Sequence, residues 1–307
     1  MPLFIGMDGG GTKTTCAIGD DVSVYAVATG AGSNVVRLGE AQARAGLHEA
    51  IARACTMAEV SPLRVQAACI GAAGAVNPEV STAVKRMIQQ VLPNAEIKVV
   101  GDMVIAMEAA LHQHPGVVAI SGTGSIVYGR NRAGETARAG GWGYRISDEG
   151  SGHWIGQAAV AEVMRAHDAG RNTALYEAIL REWNSESLDE LVRRVYADPA
   201  PNFASLFPLV QQAAKGRDET AIEVLTRAGL ELGKLVLMVL NRLWNPGDPV
   251  RIAIAGGVFA NSPQVRRAFY NSVHTLWPST SLCFKVSEPV AGALWIARRI
   301  GLPAVTS

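Results

Sequence analysis

The sequence predicts an α/β protein built from two related lobes, and three observations support that fold class. Of the 307 residues, 49% are hydrophobic and 18% are charged, which is enough apolar material for a large core, and the length suggests about two domains. In the first half, short apolar runs of strand length alternate with segments of helical period, which indicates a sheet covered by helices. A glycine-rich turn recurs near the start of each half, and its register favours a duplication.

The predicted strands of the first half are short apolar runs. They lie at Leu3 to Met7, Val22 to Val27, Val65 to Ile70, Ile97 to Val100 and Val117 to Ile120. One helical segment carries apolar residues at i, i+4, i+7, i+8 and i+11, which predicts an amphipathic helix with a single buried stripe. That stripe consists of Val80, Val84, Met87, Ile88 and Val91.

The second half is predicted to be mostly helical from His153 to Trp244, with an interruption near Pro199 and Pro201. Its last part, Glu219 to Trp244, is long and strongly apolar, and Leu230 to Trp244 could supply a homodimer interface, although a buried core helix is the more ordinary explanation. The remaining predicted elements are strands at Val250 to Ala255 and Leu282 to Val286, and a closing helix from about Pro289 to Ile300.

Charge and cysteine content argue against several classes of function. The net charge is +1, so we expect neither a nucleic-acid partner nor an anionic membrane. The four cysteines are scattered without a Cys-x-x-Cys pair, so their spacing supports no disulfide framework and no zinc or iron–sulfur site. The first residues lack the basic region of a signal peptide, and no apolar run approaches the roughly 20 residues that span a bilayer. The sequence predicts a soluble, cytoplasmic protein.

The first glycine-rich turn, residues 8–14, has the chemistry of a phosphate-binding loop. Its glycines let backbone N–H groups approach an oxyanion, while Thr12, Lys13 and Thr14 supply two hydroxyls and a cation. It is not a Walker loop, because Thr12 stands where lysine is required, and it is not a dinucleotide fingerprint, because Thr14 replaces the third glycine. A plain hairpin turn is the alternative explanation. The second copy of the turn runs from Ser121 to Ser125.

Two aspartates are candidates for chemistry. Asp8 ends the first strand beside the turn and could carry Mg²⁺ through water molecules, since magnesium prefers one or two carboxylates and keeps much of its hydration shell. Its alternative is an Asx-turn aspartate. Asp102 lies where a parallel strand passes into a helix, the end at which open α/β sheets present ligand-binding groups. A helix N-cap explains Asp102 about as well as catalysis does.

Two further glycine-containing segments suggest binding sites. The segment from Gly140 to His153 combines glycines with Trp142, Asp148 and Glu149, and could give a sugar both carboxylate acceptors and an aromatic face. Acidic residues that merely favour the start of the next helix are the alternative.

The segment 252–263 predicts a strand, a tight glycine turn, and a helix capped by Ser262. Its paired glycines would allow the base or ribose of a nucleotide to approach closely. They would equally serve a close crossing of a strand and a helix.

The order of these motifs over nearly the whole chain resembles the superfamily of sugar kinases, heat-shock ATPases and actin. Within it, the chain resembles the branch that joins N-acetylglucosamine kinases with the BadF/BadG-type ATPases. Residues 8–14 resemble the first phosphate motif, 121–125 the second, 255–261 the adenosine motif, and 288–294 the second connecting helix. The most specific match is Gly140 to Gly156, which is similar to the corresponding loop of amino-sugar kinases.

The resemblance implies two ribonuclease-H-like lobes with a cleft between them that holds Mg-ATP and a hexose. The first lobe would comprise residues 1–112 with the closing segment 289–307, and the second would comprise residues 113–288 with a helical insertion. Asp102 would be the base for the sugar 6-hydroxyl. The other residues expected to contact the sugar are Asn34, Thr123, Gly141 and Asp148. Those expected to contact ATP are Gly10, Gly11, Thr12, Lys13, Thr14, Gly122, Thr123, Gly124, Gly256, Gly257 and Asn261.

The implied activity is ATP-dependent phosphorylation of N-acetylglucosamine or glucosamine at the 6-hydroxyl. The chain carries Ala72-Ala73-Gly74 where N-acetylglucosamine kinases carry a serine before a glycine pair, and Val35-Val36 where an aromatic would flank the acetamide. Glucosamine and N-acetylmuramate are therefore alternative substrates.

Two other classes of function remain open at this stage. One is an ATPase activator of a 2-hydroxyacyl-CoA dehydratase or benzoyl-CoA reductase, although the two closely spaced cysteines that its iron–sulfur cluster needs are missing from this chain. The other is a non-catalytic sugar-binding regulator, against which the carboxylates Asp8, Asp102 and Asp148 argue.

Overall fold

The computed structural model describes residues 1–75, 77–283 and 288–302. The chain divides into two compact units, the first formed by residues 1–114 with the C-terminal segment from 287, and the second by residues 115–286. Each unit contains one five-stranded sheet. The two sheets and their helices confirm the α/β fold class and the two lobes that the sequence predicts.

The first unit begins with three strands connected by tight turns and continues with alternating helices and strands. In chain order its elements are β1 (Leu3–Gly9), β2 (Lys13–Gly19), β3 (Val24–Ala31), α1 (Val35–Leu38), α2 (Glu40–Met57), β4 (Val65–Ala72), α3 (Pro78–Gln89), β5 (Glu96–Val100) and α4 (Asp102–Leu111).

The second unit repeats the three-stranded start and then inserts a run of helices, as the sequence predicts for this region. In chain order its elements are β6 (Gly116–Ser121), β7 (Ser125–Arg130), β8 (Thr136–Gly140), α5 (Gly152–Asp168), α6 (Ala174–Glu182), α7 (Leu188–Val195), α8 (Phe207–Lys215), α9 (Glu219–Leu243), β9 (Arg251–Ala255), α10 (Gly257–Asn261), α11 (Pro263–Leu276) and β10 (Ser281–Cys283). The closing helix α12 (Pro289–Gly301) belongs to the first unit.

The two sheets share one topology. The strand order is β3-β2-β1-β4-β5 in the first unit and β8-β7-β6-β9-β10 in the second. In each unit the first strand pairs antiparallel with the second and parallel with the fourth, and the fifth extends the parallel side. The duplication predicted from a single repeated turn therefore extends to the whole sheet.

Helices cover both faces of the first sheet. Ile5 and Met7 on β1 point into the core formed with α2 and α3, whereas Phe4 points into the core formed with α4 and α12. This alternation follows the two-residue period of a strand, and it explains why Phe4, Ile5 and Met7 are all apolar. The stripe on α3 is confirmed, because Val84, Met87 and Ile88 are buried in the first of these cores.

The structure corrects some of the predicted bounds. The strand predicted at Val22 to Val27 begins at Val24 and runs to Ala31. The strand predicted at Leu282 to Val286 is observed at Ser281–Cys283, and residues 284–286 lie outside the described residues. Among the described helices, none is long and apolar enough to cross a membrane.

Candidate active site

The first glycine turn connects β1 to β2 as a hairpin, as predicted. The amide of Gly10 donates to the carbonyl of Lys13 at 3.0 Å and closes the turn. The amides of Gly11 and Thr12 make no hydrogen bond within the described ranges of the chain. Two adjacent unpaired N–H groups at a glycine turn are suitable donors for an oxyanion.

The segment after β3 packs against this turn. The Ser33 amide donates to the Gly10 carbonyl at 3.0 Å, and a methyl group built on Gly32 would lie 2.5 Å from the carbonyl oxygen of Gly11. The Thr14 hydroxyl donates to the Ser33 hydroxyl at 2.8 Å, and Thr14 is fully buried. The structure therefore does not bring the Thr14 hydroxyl to the exposed surface of the turn, where Thr12 and Lys13 lie.

The two candidate aspartates of the first unit lie at one edge of its sheet. Asp8 lies near the carboxyl end of β1, and Asp102 follows the carboxyl end of β5, with β4 between these parallel strands. Burial, with the neighbouring charge of Asp102, raises the pKa of Asp8 to about 6; Glu288 acts in the same direction and Lys13 opposes both. Two of the groups that act on Asp8, Lys13 and Glu288, come from other elements of the same unit.

Asp102 is the first residue of α4 and is not its N-cap, which is Gly101. Its Oδ1 atom accepts a hydrogen bond from the amide of Met103 at 2.9 Å. Burial raises the pKa of Asp102, and hydrogen bonds from the amides of Met103 and Asp102 itself partly offset that effect. A half-buried carboxylate with a raised pKa at the end of a sheet is typical of a general base.

The donor set at Asp8 fits magnesium that arrives with a nucleotide. No group of three or more His, Cys, Asp or Glu side chains that could hold a metal ion occurs in the described part of the chain. A single carboxylate beside a glycine turn with unpaired amides suits an ion that keeps most of its water ligands and is shared with phosphate oxygens.

Asn34 is the N-cap of α1. Its Oδ1 atom accepts a hydrogen bond from the amide of Arg37 at 3.1 Å, and its side chain is half-buried. The capping bond fixes the side chain beside the glycine turn, while its amide N–H groups remain available for a hydroxyl.

The second glycine turn connects β6 to β7. The amide of Gly122 donates to the carbonyl of Gly124 at 2.9 Å. The first amides of α5 donate to the same turn, from Gly152 to Gly122 at 2.8 Å and from His153 to Thr123 at 3.2 Å. The helix therefore fixes the turn, and leaves the Thr123 side chain exposed.

Asp148 lies against the second turn. A methyl group built on Gly124 would lie 2.9 Å from Oδ2 and 3.3 Å from Cγ of Asp148, so the carboxylate lies directly against this glycine. Asp148 is buried and has a backbone φ of 75°. Burial raises its pKa, while hydrogen bonds from the amides of Ser125 and Gly143 partly offset the effect. The structure brings Asp148, Thr123 and Gly124 together within the second unit.

The loop before Asp148 exposes aromatic side chains. The Trp142 side chain is 61% exposed, and the guanidinium of Arg138 lies 4.1 Å from its ring centroid. Tyr144 is exposed and contacts the ring of His153 at 4.8 Å between centroids. Gly141 begins this loop with a backbone φ of 71°. The aromatic and carboxylate groups expected from the sequence are thus both present in one loop.

The two adjacent glycines of segment 252–263 have different surroundings. A methyl group on Gly256 would lie 2.3 Å from the carbonyl oxygen of Ser121, so Gly256 serves a close crossing of backbones. Gly257 faces open space, and the side-chain Nδ2 of Asn261 donates to the carbonyl of Gly257 at 2.8 Å. Ser262 caps α11, as predicted, but the short helix α10 before it is missing from the sequence prediction.

Sequence reasoning missed two charged residues at the first turn. Arg37 lies against Gly11, with Nη1 3.2 Å and Cδ 3.5 Å from a methyl group built there. Glu288, the N-cap of α12, acts on the charge of Asp8. A signal existed for Arg37, since it is three residues after Asn34 and therefore on the same helix face. Glu288 begins the segment 288–294 that resembles the second connecting helix, but the sequence alone carries no sign that it acts on Asp8.

The cysteines do not fit an iron–sulfur centre. Cys16, Cys55 and Cys69 are buried, and only Cys283 is exposed. Burial raises the pKa of Cys69 to about 12 and that of Cys55 to about 11, so these thiols stay protonated. A cluster that bridges two subunits needs two accessible thiolates in each.

Comparisons with known proteins agree with these features. The model of the BadF/BadG/BcrA/BcrD ATPase family matches residues 5–297. The chain is 32% identical over 302 residues to the N-acetylmuramic acid/N-acetylglucosamine kinase of Clostridium acetobutylicum, covering 97% of this chain and 99% of the relative. It is 28% identical to the N-acetyl-D-glucosamine kinase of Dictyostelium discoideum, covering 96% and 97%.

A solved structure shares the fold over nearly its whole length. It comes from Chromobacterium violaceum, from a protein proposed to be an N-acetylglucosamine kinase, and superposes with a TM-score of 0.76 at 25% identity, covering 97% of this chain and 99% of that one. The family model spans almost the entire sequence and includes both glycine turns, Asp102 and Asp148. The chain belongs to the BadF/BadG/BcrA/BcrD ATPase family.

Proposed function

We propose that this chain is an ATP-dependent amino-sugar kinase that transfers the terminal phosphoryl group of ATP to the 6-hydroxyl of N-acetylglucosamine or glucosamine. One observation carries the proposal: Asp102, a half-buried carboxylate with a raised pKa, lies at the same sheet edge as a glycine turn whose amides at Gly11 and Thr12 are unpaired. The names of the relatives support an amino sugar as the acceptor.

Phosphoryl transfer needs mainly positioning and charge neutralisation, together with one group that accepts the proton of the attacking hydroxyl. Asp102 accepts that proton from the sugar. The turn at Gly10 to Lys13 holds phosphate oxygens of the nucleotide by backbone amides and one cation. When bound, Mg²⁺ would neutralise phosphate charge, and Asp8 would hold it through water molecules.

Binding roles follow for the other candidate residues. In the first unit, Asn34 offers amide N–H groups to a sugar hydroxyl. In the second unit, Asp148 offers carboxylate acceptors, and the Thr123 side chain and the backbone at Gly141 lie in the same glycine-rich region. The Gly122 and Gly124 turn binds phosphate, and Gly257 with Asn261 binds the nucleoside. These roles extend the family resemblance residue by residue.

The identity of the amino sugar depends on the surroundings of the N-acetyl group. Val36 is 72% exposed and contacts Gly74, at 3.2 Å from a methyl group built on that glycine. A valine gives less flat surface to an acetamide than an aromatic ring does. The proposal therefore includes glucosamine, and N-acetylmuramate is tested with it because one relative is named for that sugar.

The test is ADP release from Mg-ATP by the purified protein, measured without sugar and then with N-acetylglucosamine, glucosamine, N-acetylmuramate and glucose. Release that depends on an amino sugar, with the product identified as a 6-phosphate by NMR, supports the proposal. Release that is indifferent to every sugar would point to an ATPase activator. Absence of release with nucleotide still bound would point to a sugar-binding regulator.

A further inference from the structure

Arg37 is a second cation at the first glycine turn. Its side chain lies over Gly11, with Nη1 3.2 Å and Cδ 3.5 Å from a methyl group built on that glycine. Arg37 is exposed, and within the described residues its guanidinium makes no hydrogen bond and no ion pair. Of the other side chains of this turn, Thr14 already binds Ser33, and Lys13 is the other cation.

We propose that Arg37 binds the terminal phosphoryl group of the nucleotide and stabilises the charge on it during transfer. This inference rests on the proposed function for the choice of nucleotide and acceptor. It adds to that function a phosphate-binding residue outside the glycine turn.

The backbone of α1 is fixed to the turn, which gives Arg37 a defined position. The Ser33 amide binds the Gly10 carbonyl, Asn34 caps the helix through the Arg37 amide, and Gly39 closes it through the Val35 carbonyl. Arg37 thus lies one helical turn after Asn34, on the same side of the helix. One short helix carries both the residue proposed for the sugar and the residue that covers the phosphate turn.

The charges near this turn favour a further cation. Asp102 and Glu288 both act on Asp8, while Lys13 is the cation that opposes them. A triphosphate would add several negative charges to these. Arginine meets this need well, because its planar guanidinium donates two parallel hydrogen bonds to phosphate oxygens and stays charged at any working pH.

The alternative ligand for Arg37 is a carboxylate on the sugar, such as that of N-acetylmuramate. We favour phosphate because the guanidinium lies over Gly11, whose amide is unpaired, and the side chain of Asn34 lies one helical turn away. The two ligands differ in what the loss of Arg37 changes. A phosphate contact affects every acceptor sugar equally, whereas a carboxylate contact affects only the anionic one.

The experiment compares the unmodified protein with Arg37→Gln, Arg37→Lys and the matched control Arg44→Gln, which removes the same charge from an exposed position on α2. Calorimetry measures the affinity for Mg²⁺ with AMP-PNP and with ADP, without any sugar. Kinetics then measure kcat and KM with N-acetylglucosamine and with N-acetylmuramate. Thermal unfolding verifies that each variant is folded.

The expected result for Arg37→Gln is a loss of AMP-PNP affinity of about 10-fold with ADP affinity unchanged, and a fall in kcat of about 10²-fold for each sugar that is a substrate, as for loss of one charge-stabilising donor. Arg37→Lys should recover part of both, and Arg44→Gln should match the unmodified protein. Equal affinities of the Arg37→Gln protein and the unmodified protein for AMP-PNP would overturn the proposal. So would a defect confined to the KM for N-acetylmuramate.

The binding measurement separates this inference from the proposed function. If the unmodified protein binds AMP-PNP but phosphorylates no amino sugar, the proposed function is wrong, while the ratio of AMP-PNP to ADP affinity still decides whether Arg37 contacts the terminal phosphate. If the unmodified protein phosphorylates sugar and Arg37→Gln does so equally well, the proposed function stands and the role of Arg37 is wrong.

Discussion

Burial gives two carboxyl groups of the first unit a protonation behaviour that an exposed aspartate lacks. Asp102 has a raised pKa because it is buried, and Asp8 has one because it is buried and close to Asp102. In both cases the protein makes the charged form less favourable than in water. A base with such a pKa holds its proton more strongly once it has accepted it, which suits proton removal from a sugar hydroxyl.

Replacement of Asp102 by asparagine should abolish most turnover without loss of nucleotide binding. Asparagine retains the size of the side chain and an oxygen that can accept from the Met103 amide, but it cannot accept a proton. We expect kcat to fall about 10²- to 10⁴-fold, the usual contribution of a general base. Asp21→Asn, at an exposed position of the same unit, is the matched control. Unchanged turnover of Asp102→Asn would exclude Asp102 as the base.

Asp8→Asn should stabilise the metal-free protein, and the gain should depend on pH. The pKa of Asp8 is raised from 3.8 to about 6, so between these values the folded chain binds more protons than the unfolded chain and stability falls as pH rises. Asparagine removes this loss. The gain should be near zero at pH 4 and reach about 1–3 kcal/mol above pH 7.

The measurement is urea unfolding at several pH values in the presence of EDTA. Asp21→Asn, at an exposed position of the same unit, is the matched control. A stability difference between Asp8→Asn and the unmodified protein that is the same at pH 4 and pH 8 would contradict the assignment.

At the scale of single elements, the sequence predicts the type of most strands and helices and misses features that depend on side-chain hydrogen bonds. The strand predicted from Val22 begins two residues later, because Oδ1 of Asp20 accepts from the amides of Val22 and Ser23 and holds them in a turn. Apolar periodicity contains no information about that capping interaction.

In the candidate site, too, the sequence predicts the kinds of residue present and misses their side-chain hydrogen bonds. Glycine and threonine content predicted a phosphate-binding turn, but composition cannot show that the Thr14 hydroxyl binds Ser33, which is distant in the chain. In the same way, Asp102 has the residue type of an N-cap, yet Gly101 occupies that position. Residue type and order predict where polar groups collect, whereas tertiary contacts decide which of them remain available.

Helix α12 packs closely against α4, the helix that begins with Asp102. Gly292 on α12 is so close to α4 that a methyl group there would lie 2.0 Å from the carbonyl oxygen of Ile105 and 2.5 Å from the amide of Ala109. The ion pair of Arg299 with the buried Glu108, at 2.6 Å, joins the same two helices.

Gly292→Ala should therefore destabilise the protein by about 2–4 kcal/mol, because backbone atoms cannot move away from the methyl group as a flexible side chain can. Gly257→Ala introduces the same methyl group into open space and is the control for stability. Chemical denaturation measures both. Equal stability of the two variants would show that α12 can shift away from α4 at little cost.

At the scale of the whole molecule, the repeated strand order in two units is more informative than the repeated turn that first suggested it. Side chains differ between the copies, as at Asp8 and its counterpart Ser121, but the hairpin, the parallel crossover and their order are the same. Backbone topology tolerates substitutions that erase sequence similarity. A single-sequence comparison can therefore detect only the glycine turns, where backbone conformation restricts the residue type.

The expected homodimer is still a prediction. The apolar segment from which it was predicted, Leu230 to Trp244, has another explanation. Leu232, Val236 and Leu240 of α9 are fully buried in the core of the second unit, which leaves only scattered exposed residues such as Met238. Size-exclusion chromatography with light scattering at micromolar concentration should give the mass of two chains. A mass near 32.4 kDa would remove the prediction.

Nucleotide binding should stabilise the folded chain in proportion to the number of phosphates bound. A ligand that binds only the folded state at 100 times its Kd adds about 2.7 kcal/mol, which raises Tm by roughly 5 °C for a chain of this size. Under the proposed function, Mg-ATP should therefore raise Tm more than AMP, because only the triphosphate would reach the amides of Gly11 and Thr12, and its magnesium would reach the carboxylate of Asp8. EDTA should remove most of that gain in Tm. The measurement is thermal unfolding of the Asp102→Asn variant with each nucleotide, because this variant should bind nucleotide without turning it over. If AMP raises Tm as much as Mg-ATP does, the glycine turn does not bind phosphate.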